Sequence, residues 1–270
     1  MNHVLIDADL CNLCGICVAL CPMRVLRMDE QGKVPIPVAD FEEFCIRCGH
    51  CVSVCPTAAL SLSWLSPEDC VSLKNDLRVT PGQAEQLLNG RRSIRNFKKK
   101  TIPREVLEKL LETACHAPSA KNVQPWHWIV IESPDEVQRV AALVIDWIRS
   151  LARENPDRGL LHALSIWDSG VDRICRGAPH LIIAHADENW GYGPEDCALA
   201  LGHLDLHATA MNLGTCWAGN VYRAVNAYPP LAQAIGVPQG HRAFGALMLG
   251  YPQYRHHRIP PRNKPRIEWR

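Results

Sequence analysis

The sequence predicts an α+β chain of two domains: a small cysteine-rich one, then a larger one with helices and strands around one central sheet. Three observations lead there. Eight of the thirteen cysteines fall within the first 55 residues, as two copies of one pattern. Beyond residue 80, stretches with helical and with extended hydrophobic spacing alternate along the chain. The composition, 47% hydrophobic and 21% charged over 270 residues, suits a soluble globular protein with a sizeable core.

The first cysteine copy is Cys11, Cys14, Cys17, Cys21 and Pro22; the second is Cys45, Cys48, Cys51, Cys55 and Pro56. Both read C-x2-C-x2-C-x3-C-P, an internal repeat offset by 34 residues. A 4Fe–4S cube takes four thiolates. The short gaps let three sulfurs of one loop reach three irons, and the Cys-Pro step turns the chain away. Gly15 and Gly49 permit close backbone approach to such a cube. Zinc uses two well-separated C-x2-C pairs and leaves the third and fourth cysteine of each run unexplained. A disulfide framework would suit a secreted chain.

Over about 60 residues this region resembles the bacterial-type two-cluster ferredoxins. In those proteins the fourth cysteine ligates the opposite cluster. The resemblance therefore implies Cys11, Cys14, Cys17 and Cys55 on one cluster, and Cys45, Cys48, Cys51 and Cys21 on the other. One departure is a longer gap between the copies, holding Asp29 to Lys33, read as a strand–turn–strand insertion that leaves the ligands undisturbed.

The domain boundaries expected are 1–64 for this module, 65–80 for a linker and 81–270 for the larger domain. Thr80-Pro81 opens a helix Pro81–Asn89, stopped by Gly90. An amphipathic helix spans Pro103–Cys115, with Val106, Leu107, Leu110, Leu111 and Ala114 on one face. Trp126–Glu132 is a strand. Ser133 to Glu136 reads as a capping box opening a helix to about Glu154. Leu181–Ala186 is a strand, Pro194–Leu213 a long helix ended by Gly214, and Thr215–Ala218 a short strand. Ala227–Ile235 is a short helix and Ala243–Gly250 a strand.

Three constellations in the larger domain carry chemistry. Arg91, Arg92, Ser93 and Arg95 gather guanidinium forks and a hydroxyl suited to a phosphate; a solvated basic face is the plainer reading, and it suits Lys98 to Lys100 better. Pro118-Ser119-Ala120-Lys121-Asn122-Val123-Gln124-Pro125 is a loop able to face amides and a hydroxyl toward a planar polar ligand, or simply a loop with helix caps. Leu213 to Gly219 is glycine-bearing, and the tail brings Arg255, Arg258, Arg262 and Lys264.

In this order and spacing, R-R-S-x-R-x-F, P-S-A-x-N-x-Q-P-W and the late L-G-Y-P resemble the nitroreductase flavoprotein family over nearly all of residues 85–265. That resemblance implies a three-layer α+β fold, non-covalent FMN and a homodimer with the flavin at its interface. It assigns Arg91, Arg92, Ser93 and Arg95 to the phosphate and ribityl chain. Pro118, Ser119, Ala120 and Asn122 would line the isoalloxazine. Gly219 would face the ring from the partner subunit, and Arg262, then Arg258, would supply a late phosphate contact. The fused arrangement resembles proteins of anaerobic bacteria and archaea.

The readings of function follow. In the first, an enzyme receives electrons from a ferredoxin or other low-potential donor, and its two clusters feed FMN. The FMN then reduces an electrophilic small molecule: a nitroaromatic, quinone, enone or halogenated aromatic. In the second, the same cofactors serve a redox sensor or electron-transfer adaptor without a small substrate. No motif marks a catalytic acid or base. No G-x-G-x-x-G follows a strand, and no P-loop is present. Nucleic acid is set aside: net charge is +1, and the resemblance already gives the arginine run a phosphate to meet in FMN. No targeting segment and no apolar run of membrane-spanning length is seen, so the expected location is cytoplasmic, with no membrane partner.

Of the remaining cysteines, Cys70, Cys115, Cys175, Cys197 and Cys216, only the last lies in a candidate flavin segment. His203 and His207 have metal-ligand spacing but no third ligand tied to them by motif. Trp147, Trp167 and Trp190 offer either core packing or stacking for an aromatic substrate.

Overall fold

The computed structural model describes residues 3–270. Its contacts divide the chain into two units: the chain up to Arg78 with Lys121–Val123, and Val79–Ala120 with Gln124–Arg270.

The first unit contains β1 (Val4–Ile6), α1 (Ile16–Leu20), β2 (Leu26–Met28), β3 (Pro35–Pro37), α2 (Phe41–Phe44), α3 (His50–Ser53) and β4 (Leu60–Leu62). β1 pairs antiparallel with β4, and β2 with β3. The sequence repeat is also a backbone repeat. Leu13 and Arg47, Gly15 and Gly49, and Arg24 and Ala58 all have positive φ at the same 34-residue offset. A non-glycine residue there costs about 1–2 kcal/mol, so its recurrence in both copies marks a loop shape imposed from outside local preference. Val4, Val25, Leu26, Phe41, Val52, Leu60 and Leu62 form the core beneath these loops. The gap between the copies is the turn joining β2 to β3, closed by the Gly32 N–H donating to the Asp29 carbonyl at 2.8 Å.

Two short 3-10 turns follow, Pro67–Asp69 and Asn75–Leu77. The second unit then runs α4 (Pro81–Gly90), α5 (Arg104–Ala114), β5 (His127–Ile131), α6 (Pro134–Glu154), α7 (Arg158–Asp168) and β6 (His180–Asp187). It continues through α8 (Gly193–Ala210), β7 (Gly214–Trp217), α9 (Gly219–Ala227), α10 (Pro229–Ile235) and β8 (His241–Gly250). The sheet order is β5-β6-β8-β7, antiparallel throughout. Alternation along β6 sends Leu181 and Ile183 to one face and Ile182 and Ala184 to the other. The first face packs on α6, α9 and α10 through Val144, Ile145, Val221 and Leu231. The second packs on α5 and α8 through Leu107, Leu110, Leu201 and Leu204. Helices on both faces of one sheet make the three-layer arrangement.

Four local expectations need correction. The long helix ends at Ala210, not beside Gly214: Asn212 takes φ 59, and the Leu213 N–H reaches back to the Ala208 carbonyl at 2.8 Å. Asparagine tolerates this left-handed position and so does the work expected of glycine. Gly214 instead opens β7, where a Cβ would come within 2.6 Å of the Ile94 side chain. The short helix expected at Ala227–Ile235 is α10, which starts at Pro229, and a further helix, α9, precedes it where none was expected. Ser133 makes no side-chain cap bond, so the box expected there does not form; Thr80 and Gln83 do form one. Helix α7 was not expected at all, although Asp157 caps it by accepting from Gly159 at 2.7 Å and Leu160 at 3.3 Å.

At one end of the sheet His127, His185 and His241 crowd together, with ring centres 5.0–5.5 Å apart. His185 is buried, and its Nδ1 lies 3.0 Å from that of His241. Burial, then the two neighbouring imidazoles, push His185 down to about 4 from an ordinary 6.5. A depressed histidine is neutral when folded, so the unfolded chain binds the extra proton first as pH falls. The contribution of His185 is complete above about pH 6.5 and is lost progressively toward pH 4. Hydrogen-exchange protection of the β6 amides, taken relative to the intrinsic rate at each pH, should therefore fall across this window, and less steeply in His185→Asn. Equal slopes in the two proteins would contradict it.

Candidate functional site

In the first unit the fourth cysteine of each copy joins the other copy's three. Cys11, Cys14 and Cys17 line a small pocket together with Cys55. Cys45, Cys48 and Cys51 line another together with Cys21. The remaining walls are largely apolar, with Ile6, Ile16 and Leu60 at the first and Val25, Phe41 and Leu62 at the second. Four thiols around each apolar chamber fit the donor set of a 4Fe–4S cube.

Their electrostatics differ. Burial pushes Cys51 up to about 11 and raises Cys17 and Cys45. Such thiols ionise when a metal ion compensates the charge. Burial also acts to raise Cys55, but the Thr57 hydroxyl and the amides of Thr57, Ala59 and Leu60 together bring it below the usual thiol range. The Ala59 N–H donates to its Sγ at 3.3 Å. Asn122, counted with this unit, donates its side-chain amide to the carbonyls of Ile46 and Arg47, both at 3.2 Å.

In the second unit, the structure distributes the arginine run over three environments. Arg91 pairs with Asp205 at 3.5 Å, and Asp205 also accepts from the Thr215 hydroxyl. Burial raises the Asp205 carboxyl against the pull of Thr215 and Arg91. Arg92 lines an open concavity of about 520 Å³ with Lys98, Asn212, Tyr251 and Arg255. Arg95 lies in the field of Arg176. Between them, Ser93 bridges to Thr215 in β7, and the Ile94 N–H donates to the Thr215 carbonyl at 2.8 Å. This segment thus continues the sheet beyond β7. Gly219 is the first residue of α9. Arg258 and Arg262 lie on the exposed tail after β8, in none of the ion pairs among the described residues.

The loop at Pro118 is strained and braced. Lys121, Asn122 and Gln124 all have positive φ. The Gln124 N–H donates to the Ser119 hydroxyl at 2.9 Å. The Ala120 N–H donates to Asp196 Oδ1 at 2.9 Å, and the Trp190 indole donates to Asp196 Oδ2 at 2.8 Å. Asp196 is only 2% exposed. This bracing residue escaped the sequence reading: an acidic residue in a helix's first turn is ordinary, and its partner is 76 positions away. Trp190, a stacking candidate, thereby has a structural partner. Cys216 is buried and lies in the field of Arg176. His203 turns to the Leu199 carbonyl in its own helix, at 3.0 Å.

A nitroreductase family model matches residues 88–251, and a 4Fe–4S dicluster domain model matches residues 3–57. An NADH dehydrogenase of Thermus thermophilus is 30% identical over 190 residues, covering 63% of this chain and 88% of that one. Two solved structures are similar in fold. A nitroreductase from Bacteroides fragilis with bound FMN has TM-score 0.58 and 22% identity, covering 68% of this chain and 97% of that one. A nitroreductase from Desulfitobacterium hafniense with bound FMN has TM-score 0.56 and 23% identity, covering 68% and 96%.

Two predictions follow from this geometry. Cys55→Ala should halve the iron content, from about eight to about four per chain, and abolish the same electron paramagnetic resonance signal as Cys11→Ala, while Cys21→Ala abolishes the other. If Cys55→Ala instead matched Cys45→Ala, the crossed assignment would be wrong. Asp196→Ala strips the part-buried Ala120 amide and Trp190 indole of their acceptor, at about 1 kcal/mol for each. Hydrogen exchange over 118–124 should then accelerate, and Asp196→Asn should lie between the two.

Proposed function

The chain belongs to the nitroreductase family, and from that premise we propose an FMN-dependent oxidoreductase whose two 4Fe–4S clusters relay single electrons to the flavin for reduction of an electrophilic organic substrate. Nitroaromatics, quinones, enones and halogenated aromatics are the substrate classes. The observation carrying the relay is the crossed pair of four-cysteine chambers, whose donor sets suit two cubes.

Cys11, Cys14, Cys17 and Cys55 hold one cluster, and Cys21, Cys45, Cys48 and Cys51 the other. Bound flavin supplies the conversion between one-electron supply and two-electron reduction. The FMN bound in the two similar solved structures supports this cofactor. Arg91, Arg92, Ser93 and Arg95 are its phosphate and ribityl contacts, with Arg258 and Arg262 from the tail. In this arrangement Asp205 orients Arg91, and the pairing of residues 93–94 with β7 fixes the height of the segment. Pro118, Ser119, Ala120, Asn122 and Gly219 line the ring. Asp196 holds Ala120 in place through its amide. The protein acts as a homodimer, with each flavin lined by both subunits.

The donor is a ferredoxin or another low-potential carrier; the name of the Thermus relative brings NADH in as the competing donor. Protein purified without oxygen should hold about eight irons, about eight sulfides and about one FMN per chain. After photoreduction, adding a nitroaromatic or quinone should reoxidise cluster and flavin absorbance together. Reduced flavin that persists against every acceptor class would leave the redox sensor or adaptor in place of the enzyme.

A further inference from the structure

A cavity of about 240 Å³ lies between α6, α7, the loop after α7 and the start of α9. Its walls include Ile145, His162, Trp167, Arg173, Arg176 and Asn220. Neither the cluster chambers nor the flavin assignments above use Trp167, Arg173 or Arg176.

The charge around it is mainly positive. Arg176 lies in the fields of Arg95 and Arg173, with Asp172 and Cys216 acting the other way, and no carboxylate among the described residues forms an ion pair with any of the three arginines. The acids nearby are committed elsewhere. Asp168 pairs with Arg149 at 2.9 Å. Asp172 accepts from the backbone N–H groups of Ile174, Cys175 and Gly177, at 2.8, 2.9 and 3.0 Å. That turn holds Arg176 at φ 59, a left-handed conformation costly for a long side chain. Burial first, then the cations Arg95 and Arg173, bring Arg176 below the usual guanidinium range against the pull of Cys216 and Asp172. Guanidinium does not deprotonate in proteins, so the crowding is a destabilisation that an anion would relieve.

The cavity also adjoins the flavin assignments along the chain. Asn220 follows Gly219 in the first turn of α9, and Arg95 ends the arginine run. We propose that this cavity recognises the substrate, and that the electrophile is an aromatic molecule carrying a carboxylate or similar anionic group, held by Arg173 and Arg176 with its ring against Trp167. Paired guanidinium groups suit a two-oxygen anion, and an indole beside them suits a flat apolar ring. This rests on reading Gly219 and Arg95 as flavin contacts. The same cations could instead meet the phosphate of FMN, which the test must separate.

The test uses full-length protein purified without oxygen and photoreduced, with two acceptors that differ by one carboxylate: nitrobenzene and para-nitrobenzoate. The expected result is that Arg176→Gln lowers the ratio of kcat/KM for para-nitrobenzoate to that for nitrobenzene by about 10- to 100-fold, the loss of a charge-assisted contact. Arg173→Gln should do the same to a smaller extent, and Arg176→Lys should restore part of the ratio. FMN content should remain that of the wild type. A variant isolated without flavin would assign these arginines to the cofactor phosphate and overturn the proposal, as would an unchanged ratio. If the wild-type protein lacks flavin or reduces neither acceptor, the enzyme reading fails on its own. Calorimetric binding of para-nitrobenzoate to the oxidised protein then decides the cavity: binding lost in Arg176→Gln sustains it, and no binding to the wild type overturns it.

Discussion

The larger unit is organised by one constraint: β6 must be covered on both faces. Every residue from His180 to Ala186 is buried. A strand apolar on both sides needs helices above and below, and α6, α9 and α10 supply one cover while α5 and α8 supply the other. The chemistry-bearing segments sit where those covers end. Residues 93–94 extend the sheet beyond β7, the Pro118 loop enters β5, and α9 leaves β7 within two residues of it.

The smaller unit follows a different rule. Its strands are three residues long, too short for a sheet to be stable by itself. What it possesses is a duplicated loop that sends its last cysteine to the other copy. Each copy therefore needs the other to complete a four-sulfur set. That exchange, with a modest apolar core beneath it, couples the two halves. Three left-handed positions recurring at one offset give the backbone record of the same demand.

Buried charge in the larger unit is placed to brace rather than to react. Asp196 and Asp205 each bind two partners, one from the segment they position and one from a second element: Ala120 and Trp190, Arg91 and Thr215. Satisfied in this way, a buried carboxylate avoids the cost of standing unpaired and fixes the loop it holds. Against this pattern of paired acids, Arg95, Arg173 and Arg176 form no ion pair among the described residues, and only the Asp172 and Cys216 fields offset the cations around Arg176.

The cysteine ligand loops were legible in the sequence because each set of three lies within seven residues, where spacing alone dictates reach. Most of the long elements were legible for the same reason: hydrophobic period and caps such as Thr80-Pro81 are local. Helices α7 and α9 were missed, the first although Asp157 carried a local cap signal, because Gly159 and Gly219 at their starts read as loop. The arginine run was legible as a run, but not the fate of each arginine. Whether Arg91 meets Asp205, Arg92 meets Arg255, or Arg95 meets Arg176 depends on chain distances of some 80 to 160 residues. Thus the sequence by itself determined which groups are available and the local shape that holds them. Only the tertiary structure decided which charges are neutralised and which are left facing a cavity, since pairing is set by through-space distance and burial that no spacing along the chain encodes.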